Sequence, residues 1–215
     1  MGIGDTLLVL YLLGVGDGKA AQIEALRVGS TYLYARALAL SGDTLSAINV
    51  LSREGGCKAK RYRLVLMLGK FYLDGARELL KDTVCFTHRD VVLYNAYLLN
   101  FLPHPLADSL REEVPPLLDP KRAILFNIVP GMGLVYAGRP WQGVKTLLAV
   151  SLGFAGMTYA IRKRHYADAV VWYVFWENRF LTGSFQNSLR AVWDENRRRL
   201  KPYFRKVLRM IEEGK

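Results

Sequence analysis

Cysteine is nearly absent from this 215-residue chain: Cys57 and Cys85 are the only two. They stand 28 positions apart, which matches no zinc-ligand spacing. Two half-buried thiols and one disulfide in an oxidising compartment both remain open. Histidine is as scarce, and His88, His104 and His165 have no metal-ligand spacing to one another or to acidic residues. No nucleophile elbow and no zinc-protease helix occurs. The run Gly14-Val-Gly16-Asp-Gly18-Lys19-Ala20 follows an apolar stretch, as a phosphate loop would. However, Leu13 stands where a Walker loop needs glycine, and Ala20 where it needs Ser or Thr. It reads instead as a turn between two helices. A secretory signal is also missing, because 7–13 is too short, Asp5 precedes it and no basic region does. The first six residues, Met1 to Thr6, fit the myristoylation pattern only formally, since that pattern is short and common. These absences exclude the familiar catalytic and metal classes, and we expect no enzyme, no cofactor and no metal.

What is abundant is apolar and basic residues. The hydrophobic share is 51% beside 23% charged residues, and the net charge is +11. The apolar residues gather in 124–185 and the basic ones at the C-terminus. A basic excess suits nucleic-acid phosphates or anionic lipid headgroups. The apolar block beside it favours lipid.

Residues 1–118 are cut by glycines into short segments whose apolar spacing is helical. In 30–41, Tyr34, Ala37, Leu38 and Ser41 share one face. Asp43 is placed to cap the next helix, where Ala47, Ile48 and Leu51 lie on one side. Helices are expected at 60–69, 73–81, 90–101 and 106–114. The pair 32–53 resembles a tetratricopeptide unit, with Ala35, Gly42, Ala47 and Leu51 at its small, turn, small and large positions. A poorer copy spans 62–80, where Ala76 and Leu80 follow 29 residues after Ala47 and Leu51 rather than the usual 34. The resemblance implies stacked helical hairpins with a face for a peptide partner.

Pro103, Pro105, Pro115, Pro116 and Pro120 then form a hinge, because proline removes backbone donors and disfavours helix before it. The following segment, 123–137, is apolar but interrupted by Asn127, Pro130, Gly131 and Gly133. It is too short to cross a bilayer and reads as an approach to one. The strongest membrane segment is 144–161. Ala149, Gly153, Gly156 and Ala160 line one side of it, a stripe that lets a second helix come close in lipid. It ends at Arg162-Lys163-Arg164. A third segment is aromatic through Trp172, Tyr173, Phe175 and Trp176, and then carries Glu177 and Arg179, which we expect to be buried charges. The tail, with Arg197, Arg198 and Arg199, is a basic amphipathic helix, expected to break at Pro202.

Pro130-Gly-Met-Gly133, Tyr136, Gly138 and Gly143, followed by a small-residue apolar helix, resemble the Pro-Gly-x-Gly-x-x-Tyr-x-Gly module of bacterial membrane proteins. They are also similar to the two-transmembrane domain family. In one such group, tetratricopeptide-like helices precede the module in envelope proteins. The stretch Trp176-Glu-Asn-Arg179 to Gly183-x-x-x-Asn187-Ser188 is similar to that group's second helix. The chain departs from the pattern by placing methionine and leucine beside Gly133. The resemblance implies no enzymatic activity.

The expectation is an all-α chain in two parts. Residues 1–118 form stacked, tetratricopeptide-like hairpins, and 119–215 form a membrane-embedded or interfacial hairpin with a basic C-terminal helix. The expected function is a membrane-attached adaptor in the bacterial envelope, at the inner rather than the outer membrane. Its partners are an unidentified protein and anionic lipid headgroups. The headgroup contacts are Arg162, Lys163, Arg164, Arg197, Arg198 and Arg199. Pro130, Gly131, Gly133, Tyr136, Gly138 and Gly143 form the turn into the membrane, with Tyr136 and Trp141 as headgroup-depth anchors. The rival is a soluble, basic, nucleic-acid-binding helical protein.

Overall fold

The computed structural model describes residues 3–214, and the side chains of all of these except 3–5 and 177. The start of the myristoylation pattern, Met1-Gly2, and the side chain of Glu177 therefore lie outside the described residues. Every regular element among the described residues is helical. The chain divides into two compact units: unit 1 is Met1–Glu113 with Phe204–Lys215, and unit 2 is Val114–Tyr203. The break falls near the proline hinge. The expected division kept all of 119–215 together, whereas the last turns of the chain belong with unit 1.

Unit 1 contains α1 (Ile3–Gly14), α2 (Gly18–Val28), α3 (Thr31–Leu40), α4 (Thr44–Ser52), α5 (Cys57–Gly69), α6 (Leu73–Leu79), α7 (His88–Tyr97) and α8 (Pro105–Glu112). From α1 to α6, each helix packs on the next. Their starts are set by side-chain caps. Asp17 accepts from the Ala20 N–H, Ser30 from the Leu33 N–H and Asp43 from the Ser46 N–H, each worth about 1 kcal/mol. Ala35, Leu38, Ala47, Leu51 and Ala59 form one buried cluster, against which Tyr32 and Tyr62 pack. Alanines on facing helices let those helices approach, so the tyrosines can cover the rim.

Cys57 and Cys85 are joined in a disulfide, with Cα atoms 4.9 Å apart. This settles the choice left open by the sequence. The bond ties the start of α5 to the loop before α7. In that loop region, Arg61 gathers several elements. Its guanidinium pairs with Asp90 through both nitrogens, donates to the Cys85 carbonyl at 2.8 Å and to the Ile211 carbonyl at 3.3 Å. Asp90 is almost fully buried. Burial by itself would raise its pKa, but the hydrogen bonds from Arg61 and Thr87 outweigh that and hold the carboxyl below its usual range. The terminal turns are held by this contact, by Phe204 against Tyr97 (centroids 4.9 Å apart) and by Lys206 to Glu113 at 2.6 Å.

Unit 2 contains α9 (Pro120–Phe126), α10 (Met132–Tyr136), α11 (Pro140–Arg162), α12 (Tyr166–Val171), a π-helical segment Trp172–Glu177 and most of α13 (Asn178–Glu213). Proline opens α9 and α11, where its missing N–H has no intrahelical role. The interruption expected between 123 and 137 is present, as α9 ends before Asn127 and α10 restarts at Met132. The break expected at Pro202 is absent: α13 runs through it for 36 residues. Pro202 is exposed, as are Arg198 and Lys201, so the carbonyl that loses its donor faces solvent. On another face Asn196, Tyr203, Val207 and Ile211 are buried. Buried side chains before and after the proline keep the segment helical through it.

Among the described residues one helix, α11, is long and apolar enough to cross a membrane, with a mean hydropathy of 1.5 in its best window. Only 17% of that window is buried inside the protein.

Candidate functional site

The centre of unit 2 is the turn from Asn127 to Gly143. Asn127 ends α9 and is 2% exposed. Its Oδ1 accepts from the Gly131 N–H at 3.0 Å and from the Ser184 hydroxyl at 3.0 Å. The Gly131 N–H requires an oxygen acceptor, which fixes the orientation of the amide. Ser184 Oγ also takes part of that N–H, at 3.2 Å. Ser188 lies one turn along α13; its hydroxyl donates to the Ser184 carbonyl at 2.8 Å and sits 3.3 Å from Asn127 Oδ1. Asn127 Nδ2 is buried and finds no partner among the described residues, a cost of about 1–3 kcal/mol. The rest of the turn must outweigh that cost.

The glycines supply what outweighs it. Gly131 has φ +88°, and a Cβ there would lie 2.2 Å from the Gly143 carbonyl oxygen. A Cβ on Gly143 would lie 2.6 Å from the Gly131 carbonyl oxygen. The start of α10 and the first turn of α11 therefore meet backbone to backbone. At Gly133, a Cβ would lie 2.5 Å from the Ala123 carbonyl oxygen and 2.7 Å from Ser188 Oγ. So α9, α10, α11 and α13 converge on one seat that admits no side chain at these positions. Pro130 is half-buried at its edge, and Gly138, with φ +78°, ends α10.

Tyr136 is half-buried, and its hydroxyl is hydrogen-bonded within unit 2. The oxygen accepts the Asp119 N–H at 3.0 Å, and the ring packs against Phe126. Trp141 is exposed, beneath the Lys145 ammonium at 5.6 Å. The small stripe faces the chain as it returns. A Cβ on Gly156 would touch the Trp172 ring at 2.8 Å, and the Ala149 carbonyl accepts from Trp176 Nε1–H at 2.8 Å. Gly153 and Ala160 are buried. These pairings set the register, with 156 opposite 172 and 149 opposite 176. The π-helical segment carries both tryptophans, and Trp176 continues the ring contacts to Phe180 at 4.9 Å.

Of the two expected buried charges, Arg179 is exposed, because it lies on the open side of α13 and lines a cleft against α11. Arg162, Lys163 and Arg164 are exposed at the end of α11. Farther along, Arg199 and Arg198 pair with Glu195, each at 2.9 Å, and hold its carboxyl below the usual range. Arg199 also donates to the Pro116 carbonyl. Arg198 and Arg199 are therefore partly committed within unit 2, while Arg197 is exposed. His88 and His104 lie 5.8 Å apart, and His165 pairs with Asp168. Among the described residues, no three His, Cys, Asp or Glu side chains gather as a metal site would require.

Sequence reasoning missed the Asn127–Ser184–Ser188 cluster, the Trp176 bond and the π-helical segment. Ser184 and Ser188 at i, i+4 gave a face, but nothing local tied that face to Asn127, 57 residues earlier. The chain matches no family model, no curated protein and no solved structure.

Proposed function

We propose that this protein is a non-enzymatic, membrane-attached adaptor of the bacterial envelope. Unit 2 inserts α11 and the returning α12–α13 segment into the bilayer, and the tetratricopeptide-like helices of unit 1 engage a protein partner. The observation that carries the reading is that the 23-residue helix α11 has an apolar window of which only 17% is buried. At 1.5 Å per residue the helix is about 34 Å long, enough for a hydrocarbon core of about 30 Å. A core helix of that composition would be covered by protein, whereas Leu148, Leu152, Phe154 and Tyr159 are open.

Three further features support a hairpin that enters and leaves on one side. The chain leaves unit 1 at Glu113 and returns to it at Phe204. The helices pack through Gly156 and Ala149, as helices in lipid do. The Cys57–Cys85 bond suits an oxidising compartment for unit 1. The exposed Arg162-Lys163-Arg164 tip then lies on the cytoplasmic side, which suits the bias of basic residues toward short cytoplasmic loops, while the basic tail at 197–206 pulls the other way. Alkaline carbonate washing of membranes tests the reading. The protein should stay in the pellet and leave only with detergent. Release by high salt alone, together with salt-sensitive DNA or RNA binding, would replace it with the soluble nucleic-acid-binding reading.

A further inference from the structure

An open cleft of about 660 Å³ lies between the first turns of α11 and the start of α13. We propose that it binds the headgroup of an anionic phospholipid, an inference that rests on the membrane reading above. Lys145 reaches it from α11 and Arg179 from α13, and no carboxylate is among its described lining residues. Neither cation forms an ion pair with a described residue. Asn178, Thr182, Gln186 and Asn187 add amide and hydroxyl donors around the same space. Two cations with neutral donors and no competing carboxylate suit a phosphodiester. The volume lies within the range of small-molecule sites.

The surroundings select a lipid over a free phosphate. From Lys145 the helical row continues to Leu148 and Leu152, which are 58% and 65% exposed. An acyl chain whose phosphate sits at Lys145 would lie along this row. Trp141 lies beneath the Lys145 ammonium and marks the level of the headgroups. The pairing of 149 with 176 brings Arg179 to the same level, at the end of the helix pair opposite Arg162-Lys163-Arg164. The cleft is also built on the glycine turn, because Ser184 lines it while bonding Asn127 and Gly131. The seat that aligns the helices therefore also sets the spacing of the two cations.

The test is native mass spectrometry of the full-length, detergent-purified protein after exchange with phosphatidylglycerol or phosphatidylcholine. The wild type should retain phosphatidylglycerol in preference to phosphatidylcholine. At about 1 kcal/mol per basic residue, Lys145→Gln with Arg179→Gln should weaken that retention roughly thirtyfold. Both side chains are exposed, so circular dichroism should stay unchanged. Lys19→Gln with Lys70→Gln, both exposed on unit 1, should leave retention unchanged. Equal retention of the two lipids, or full retention by the Lys145/Arg179 variant, overturns the proposal. Binding of inorganic phosphate at these residues without lipid retention overturns the lipid occupant. A wild type that resists carbonate but shows no lipid preference defeats this inference alone; one released by carbonate defeats the membrane reading with it.

Discussion

Unit 1 joins short helices through leucine, alanine and tyrosine side chains and closes their ends with Asp17, Ser30 and Asp43. Unit 2 instead brings Gly131 and Gly143 into backbone contact and leaves Leu148 and Leu152 uncovered. In water, helices associate because apolar side chains gain by leaving the solvent, at roughly 25 cal/mol per Å². In lipid that gain is missing, and association depends on close approach and on polar contacts between helices. Unit 1 has the first kind of contact, and unit 2 has the close glycine contacts that the proposed membrane reading calls for. Exposure alone does not separate them, since α1 leaves Leu7, Leu10 and Tyr11 open too. The separation comes from uncovered length combined with glycine contacts and buried polar links.

The largest expected effect is that of Gly131→Val. Left-handed backbone strain and a clash 2.2 Å from the Gly143 oxygen together cost up to about 6 kcal/mol. Unit 2 should lose its membrane retention, while mass mapping still finds the Cys57–Cys85 bond intact in unit 1. Gly133→Val should act in the same direction. If both variants are retained in membranes with unchanged melting, the glycine turn does not seat the helices.

Next comes Asp90→Ala, which leaves the Arg61 charge buried without its partner and should cost about 3–5 kcal/mol. That loss should appear in the melting of unit 1 and spare membrane retention. The acid response sharpens the same contrast. The carboxyl is held below its ordinary value of 3.8 in the folded protein. Its contribution is therefore present above that value and is lost as pH falls through the lower folded value. Asp90→Ala should flatten the acid unfolding of unit 1 below about pH 4. An unaltered acid limb would remove Asp90 from the account.

Replacing both cysteines by serine opens a loop of 28 residues, and unit 1 should lose about 3–4 kcal/mol. Denaturant unfolding of unit 1 measures this loss, and no change in midpoint would mean the bond adds nothing. The smallest effect is Trp176→Phe. It deletes one hydrogen bond to the Ala149 carbonyl, worth about 1 kcal/mol, and should lower the melting of unit 2 by only a few degrees. A large loss would point to a heavier role for the indole than one bond and two ring contacts.

What the sequence made legible follows from range. Helices at 31–40 and 44–52 are written in local spacing and in the caps Ser30 and Asp43, which act within three residues. The interruption at Pro130 and Gly131 was legible for the same reason. Gly133 and Gly143 showed that close approach was needed, but not which backbone approached. Arg61 with Asp90 and Asn127 with Ser184 were hidden, because nothing in a helical period links residues 29 or 57 positions apart. Pro202 misled for the opposite reason. Its local rule is sound for an isolated helix, but the buried side chains of Asn196, Tyr203, Val207 and Ile211 override it. Arg179 erred through direction, since composition gives a residue's depth in the chain but not the side of the helix it occupies.

The most direct test of the central claim compares one residue from each unit. The native cysteines are joined to each other, so a new thiol is the only one free to react. Leu152→Cys in α11 and Leu26→Cys in α2 replace side chains of similar exposure, 65% and 62%. In intact membranes opened on both sides, a membrane-impermeant maleimide should label the thiol at position 26 quickly. It should reach position 152 only after the bilayer is dissolved. Equal labelling of the two before detergent is added would contradict the account, because α11 would then face water.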